Sequence, residues 1–188
     1  MSRVGRPPRD GAPTRVARHL HILETDRLIL RHFTPEDAAF ILGLLNEPGW
    51  LRFIGDRGVR TLDDARAYLQ NGPVASYARH GFGLWLVERK ADGAPAGMCG
   101  LLRRDTLPEV DVGFAFLARF HGQGYATECV AATLAHARDA LGLKRILAIT
   151  SPDNDASIRV LEKAGLRYEK TMPLSPATDP IKLFAIDF

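Results

Sequence analysis

The chain has 188 residues, 46% of them hydrophobic and 25% charged, with a formal charge of +3, the proportions of an ordinary globular protein with one domain and a short tail. No apolar run approaches the roughly 18 residues of a membrane-spanning helix, and the basic N-terminus has no apolar stretch behind it to read as a secretory leader. Cys99 and Cys129 are too few for a disulfide framework and lack metal-ligand spacing; they read as buried free thiols, in a protein expected to be cytoplasmic and to hold no metal.

Much of the positive excess is local. Arg3, Arg6, Arg9, Arg15 and Arg18 stand in the first 21 residues against one acid, Asp10, in a segment rich in Gly and Pro. Residues 1–21 therefore read as a flexible basic tail and 22–188 as the folded domain. A nucleic-acid-binding reading would rest on that tail alone, and neither nucleic acid nor a membrane is expected as a partner.

An alternating strand opens the domain at Leu23–Arg31. Thr34, Pro35, Glu36 and Asp37 then start a helix that runs to about Leu45, with a capping hydroxyl, proline at the first position and acids at the positive end of the dipole. Pro48–Phe53 reads as an irregular connection carrying two large aromatics, and Thr61, Asp63 and Asp64 start a second helix through Leu69. Phe82–Arg89 and Pro95–Leu102 form a hairpin about the turn pair Asp92-Gly93. A strand at Val110–Phe116 is followed by a helix over Tyr125–Ala140, a buried strand at Arg145–Thr150, a helix from Ala156 to Lys163 and closing strands at Leu166–Met172 and Ile181–Asp187. This order mixes hairpins with one strand-helix-strand crossover, which implies an α/β fold with a mixed sheet and helices on both faces.

The segment Arg119-Phe120-His121-Gly122-Gln123-Gly124-Tyr125-Ala126 joins a strand to the start of the longest helix. Free N–H groups of a first helical turn, the dipole and glycines that admit close approach make a pyrophosphate cradle, with Arg119 as a cation at its rim. A Rossmann site is the first alternative, but Thr127 replaces its third glycine and the end of the next strand offers Thr150 in place of a ribose-binding acid. A plain tight turn without ligand is the second.

Arg119-x-x-Gly122-x-Gly124 resembles the coenzyme A signature of the GCN5-related N-acetyltransferase (GNAT) superfamily. Leu23–Arg31, Asp111-Val-Gly-Phe114, Gly124–Glu128 and Asn154–Leu166 resemble further segments of that superfamily in the same order, in the branch that holds ribosomal-protein-alanine N-acetyltransferases. The resemblance implies a twisted, mostly antiparallel mixed sheet of six to seven strands with about four helices, splayed between its fourth and fifth strands. It implies acetyl-CoA as cosubstrate and direct transfer to a primary amine, a peptide N-terminus or a small molecule, in a monomer or homodimer. A non-catalytic acyl-CoA-binding or sensing module is the alternative.

By the same resemblance, backbone around Gly122, Gln123, Gly124, Tyr125 and Ala126 would hold the pyrophosphate, and the edge at Phe116 and Leu117 the pantetheine arm. Asp111 is the candidate general base, on the strand face opposite Val110, Val112, Phe114 and Phe116. Asn154 would contact the coenzyme or cap its helix, and Ser157 or Tyr168 would serve the departing thiolate. His121 reads as a spacer near phosphate. Trp50, Phe53 and Trp85 are candidates for an acceptor pocket, with Arg52 or Arg57 for a substrate carboxylate.

Overall fold

The computed structural model describes residues 21–176 and 178–188; of the expected tail, residues 1–21, only His21 is among them, and it already belongs to a strand. The expected first strand is two: β1 (His21–Glu24) and β2 (Leu28–Arg31), paired antiparallel. Alternation hides the break, but Thr25 makes a turn there. Its N–H donates to Leu28 O at 2.9 Å and its Oγ1 accepts from Leu28 N–H at 3.0 Å.

Thr34 precedes a 3₁₀ turn over Pro35–Asp37 that leads into α1 (Ala38–Leu45). The supposed irregular connection contains a short helix, α2 (Pro48–Phe53), with proline at its first position. Thr61 caps α3 (Leu62–Leu69) in a reciprocal box with Asp64. This helix does not stop at Leu69. Pro73 lacks the N–H an α-helix needs, and the backbone widens into a π-turn over Gln70–Val74 before resuming as α4 (Ala75–His80), which ends on Gly81 at φ 75°.

The rest follows the expected order: β3 (Leu84–Arg89), β4 (Pro95–Leu102), β5 (Asp111–Phe116), α5 (Tyr125–Asp139), β6 (Arg145–Thr150), α6 (Asp155–Lys163), β7 (Arg167–Pro173) and β8 (Pro180–Asp187). They build one eight-stranded sheet in the order β1-β2-β3-β4-β5-β6-β8-β7, antiparallel except between β5 and β6. The extra strand over the expected six to seven is the divided first one.

Alternation assigns the faces. Trp85 packs edge-on against His136 of α5, and Cys99 Sγ lies 3.4 Å from Thr133 Oγ1 of the same helix. Both cysteines are buried free thiols. The opposite face carries Leu84, Leu102 and Gly113 as neighbours and packs under the early helices, where the Tyr77 hydroxyl of α4 donates to Leu84 O. One large cluster, including Leu30, Ile41, Trp85 and Val130, holds these layers together. A second, small cluster of Leu107, Leu147, Leu183 and Ala185 covers one face of β6 and β8.

Candidate functional site

The central parallel pair is barely a pair. β5 and β6 share one register position, Asp111 opposite Leu147, sealed by Leu147 N–H to Val110 O at 2.9 Å. Beyond it the strands diverge, so Gly113, Phe114 and Ala115 are only half-buried although β5 lies mid-sheet. Leu117 N–H donates to Ala96 O of β4, and strand alternation therefore turns the backbone groups of Phe114 and Phe116 toward the gap. His121 is more than a spacer: its Nε2 lies 2.9 Å from Phe116 O and occupies that carbonyl. Leu117 offers an extended ligand little, because its N–H is used by Ala96 and its carbonyl by Phe120 N–H.

At the far end of the gap stands the glycine loop. Gly122 and Gly124 have φ of 74° and 80°, the left-handed region that a side chain would strain. Gly124 is the N-cap of α5 and supplies no side-chain cap. The first backbone bond into the helix runs from Glu128 N–H to Gly124 O, which leaves the N–H groups of Tyr125, Ala126 and Thr127 without an acceptor among the described residues, at the positive end of a 15-residue helix. Those free donors fit a diphosphate. Arg119 is exposed and lies over the Phe120 ring, while Gln123 Nε2 donates to Arg119 O at 3.1 Å and folds the loop on itself.

Arg27, in the β1–β2 turn, fixes the loop from behind. It donates to Gln123 O at 3.0 Å and to Glu128 Oε2 at 2.7 Å, with its guanidinium over the Tyr125 ring. Burial raises the Glu128 pKa, yet the bonds from Thr25 and Arg27 outweigh it and hold that carboxyl below its ordinary value. Nothing in the sequence pattern singles out Arg27; its partners are about a hundred residues away.

Asp111 ends the shared edge of β5 and β6. Its side chain is 1% exposed, and Arg104 Nε lies 2.9 and 3.0 Å from its two oxygens. Burial raises its pKa, and the Arg104 charge and hydrogen bond oppose that. Tyr68 of α3, which the sequence gave no reason to choose, stands nearby. Burial pushes its hydroxyl up, while the positive fields of Arg57 and Arg104 pull it down. Tyr68 also lines a groove of about 300 Å³ with Arg57, Ser76, Arg79, Leu84, Leu102 and Arg103. Leu102 on its floor pairs with Asp111, so the groove adjoins the gap.

The three aromatics expected around an acceptor do not meet in this groove. Trp85 is 1% exposed on the opposite face, where its Nε1–H finds no acceptor among the described residues. Trp50 is buried core and donates to Gly55 O at 3.0 Å. Phe53 lies under Arg52 and its carbonyl accepts from the Ser151 hydroxyl at 3.2 Å, which ties α2 to the loop after β6. Arg52 is spent on Asp153 at 2.9 Å.

Asn154 caps α6, its Oδ1 accepting from Ser157 N–H at 3.1 Å, and its amide nitrogen has no acceptor among the described residues. Ser157 is half-buried in the first turn. Tyr168 is elsewhere. It is 52% exposed on β7, with β8 between it and β6, its hydroxyl 3.0 Å from Thr171 Oγ1 and its ring against Phe184. At a strand spacing of about 4.8 Å that places it some two strands from the gap.

The family described as Acetyltransferase (GNAT) domain matches residues 27–167. "Uncharacterized protein YkkB" of Bacillus subtilis (strain 168) is 32% identical over 153 residues, 80% of this chain and 87% of that protein. "Uncharacterized N-acetyltransferase YoaA" of the same organism is 30% identical over 149 residues, 79% and 84% of the two chains. Among solved structures, the RimL ribosomal L7/L12 alpha-N-protein acetyltransferase in complex with coenzyme A shares the fold, with a TM-score of 0.74, 17% identity and coverage of 89% and 97%. The chain belongs to the GNAT acetyltransferase family, and it is an acetyl-CoA-dependent acyltransferase.

Proposed function

We propose that this member of the GNAT family transfers acetyl from acetyl-CoA to a primary amine, a peptide α-amine or a small-molecule amine, by direct attack in a ternary complex. The observation that carries the reading is the gap between β5 and β6, with free helix N–H groups at one end and an open groove beside Asp111 at the other. Two reactants held in one such cleft react with high effective molarity and need no protein nucleophile.

In this reading the N–H groups of Tyr125, Ala126 and Thr127 bind the pyrophosphate, assisted by Arg119, and the backbone of Phe114 together with the N–H of Phe116 receives the pantetheine arm. The free amide nitrogen of Asn154 donates to that arm. Asp111 accepts the proton of the attacking amine through water, its basicity raised by burial and moderated by Arg104. Ser157 donates a hydrogen bond to the departing sulfur. Tyr168 receives no role.

The test joins binding to turnover. Calorimetry with acetyl-CoA is expected to show a dissociation constant of about micromolar or lower. Release of coenzyme A thiol is expected only when an amine is present, and the protein incubated with acetyl-CoA alone is expected to gain no acetyl group by mass spectrometry. An acetylated protein intermediate that forwards its acetyl to the amine would overturn direct transfer. Binding without turnover on any amine would leave a coenzyme-binding module.

A further inference from the structure

The groove beside Asp111 has a one-sided charge. It is lined by Arg57, Arg79, Arg103 and His80, with the Tyr68 and Ser76 hydroxyls among them, and by no carboxylate. Arg57 and Arg79 have neither an ion-pair partner nor a hydrogen-bond acceptor among the described residues, and Arg103 gives one N–H to Pro108 O at 2.9 Å and keeps the others. Elsewhere Arg31, Arg52, Arg60, Arg104 and Arg145 each face a carboxylate, while Arg119, Arg159 and Arg167 are unpaired among the described residues but line no groove with one another. Several guanidinium groups converging on one concavity without a counter-charge repel one another, and an anionic group with several acceptor oxygens relieves that repulsion while taking charge-assisted hydrogen bonds.

The groove's apolar floor, Leu84 and Leu102, adjoins Asp111 and Gly113 at the mouth of the gap. A volume of about 300 Å³ is at the small end of ligand sites. We infer that the acceptor is a small amine that also bears an anionic group, a carboxylate or a phosphate, held by Arg57, Arg79 and Arg103 so that its nitrogen lies toward Asp111. This rests on the acetyltransferase reading of the same cleft and adds the class of its acceptor. Polycationic amines are disfavoured by the same charges.

The experiment compares matched amines on the full chain with saturating acetyl-CoA: 4-aminobutanoate, its neutral counterpart 4-aminobutanamide, O-phosphoethanolamine, ethanolamine and 1,4-diaminobutane. The anionic member of each pair is expected to have a kcat/KM about tenfold or more above the neutral one, mainly through KM. The ratio between the carboxylate and the phosphate series identifies the anion. In the double variant Arg57→Ala, Arg79→Ala, both exposed positions, the preference for the anionic member is expected to vanish, with the calorimetric affinity for acetyl-CoA retained as the sign of an intact fold. Equal or better use of neutral or cationic amines overturns the anionic acceptor and leaves acetyl transfer standing, as does a preference that survives the double variant. Absence of acetyl-CoA binding by the folded native protein removes both readings together.

Discussion

The two ends of the cleft are made of different material. At the proposed coenzyme end the groups on offer are main chain: N–H groups of one helix turn, strand amides facing a gap, and two glycines that keep the approach clear. At the proposed acceptor end they are side chains from α3, α4, the loop after α2 and the turn after β4. A main-chain site is set by backbone path and resists most substitutions; a side-chain site can be rewritten residue by residue without moving the fold. On this contrast, changes of acceptor would require only new side chains, while the donor end stays fixed by the backbone.

The contrast is broken most severely by Gly124→Glu. The change adds a charge where an anion is to bind and forces a side chain into φ 80°, with its Cβ 3.4 Å from Arg27 Nη2. Loss of acetyl-CoA binding by about a hundredfold or more is expected in a chain that still melts cooperatively, read by calorimetry. Retained affinity would move the diphosphate away from this loop.

Next comes Asp111→Asn, which keeps the shape beside Arg104 and removes the proposed base. A fall in kcat of about 10²- to 10³-fold is expected with little change in acetyl-CoA affinity, measured by thiol release and calorimetry. The wild-type profile sharpens the point. A carboxyl whose folded pKa is raised binds more protons folded than unfolded between its two pKa values, so stability falls as pH rises through that window. Activity runs the other way, because the base must be ionised. The acid limb of kcat/KM is expected to lie above the ordinary aspartate value of 3.8 and to disappear in Asp111→Asn. An unchanged limb in the variant would assign it to another group.

A smaller effect is expected from Arg27→Ala. The loop loses its brace at Gln123 O and Glu128, and the dissociation constant for acetyl-CoA should rise about two- to fivefold with kcat unchanged. An effect confined to kcat would contradict a purely positioning role. Smallest of all is Tyr168→Phe, expected to leave kcat within about twofold because the ring stands on an exposed outer strand. A large loss there would require the hydroxyl to reach the gap.

The same division decided what the sequence could reveal. The glycine loop is local: positive-φ glycines next to a helix start are spelled out in six consecutive letters, and the Asp92-Gly93 hairpin is equally compact. Helix starts at Thr34 and Thr61 are legible because the capping residues adjoin them. The misses are tertiary. Thr25 turns the chain within a pattern that alternates straight through it, and the π-turn at Pro73 carries a helix past residues that ordinarily end one. Alternation told that Trp85 and Asp111 point to particular faces without telling which helices cover each face. The groove residues lie between Arg57 and Arg103 with no spacing that marks them, so Tyr68 went unnoticed while the exposed Tyr168 attracted attention.

The position of β8 has a further consequence for how the molecule comes into being. It is the last strand in chain order, yet it lies inside the sheet between β6 and β7, matching six consecutive residues of β6 from Arg145 to Thr150. During synthesis the glycine loop and α5 leave the ribosome well before it does. Until β8 follows, β6 has a single bridge to the rest of the sheet and an open edge on its other side, the kind of edge that invites wrong pairing. The wall opposite β5 is therefore finished last. A nascent chain can display the glycine loop early but acquires a two-sided cleft only once β8 has slotted in, so that on the proposed reading capture of the coenzyme would mark completed folding.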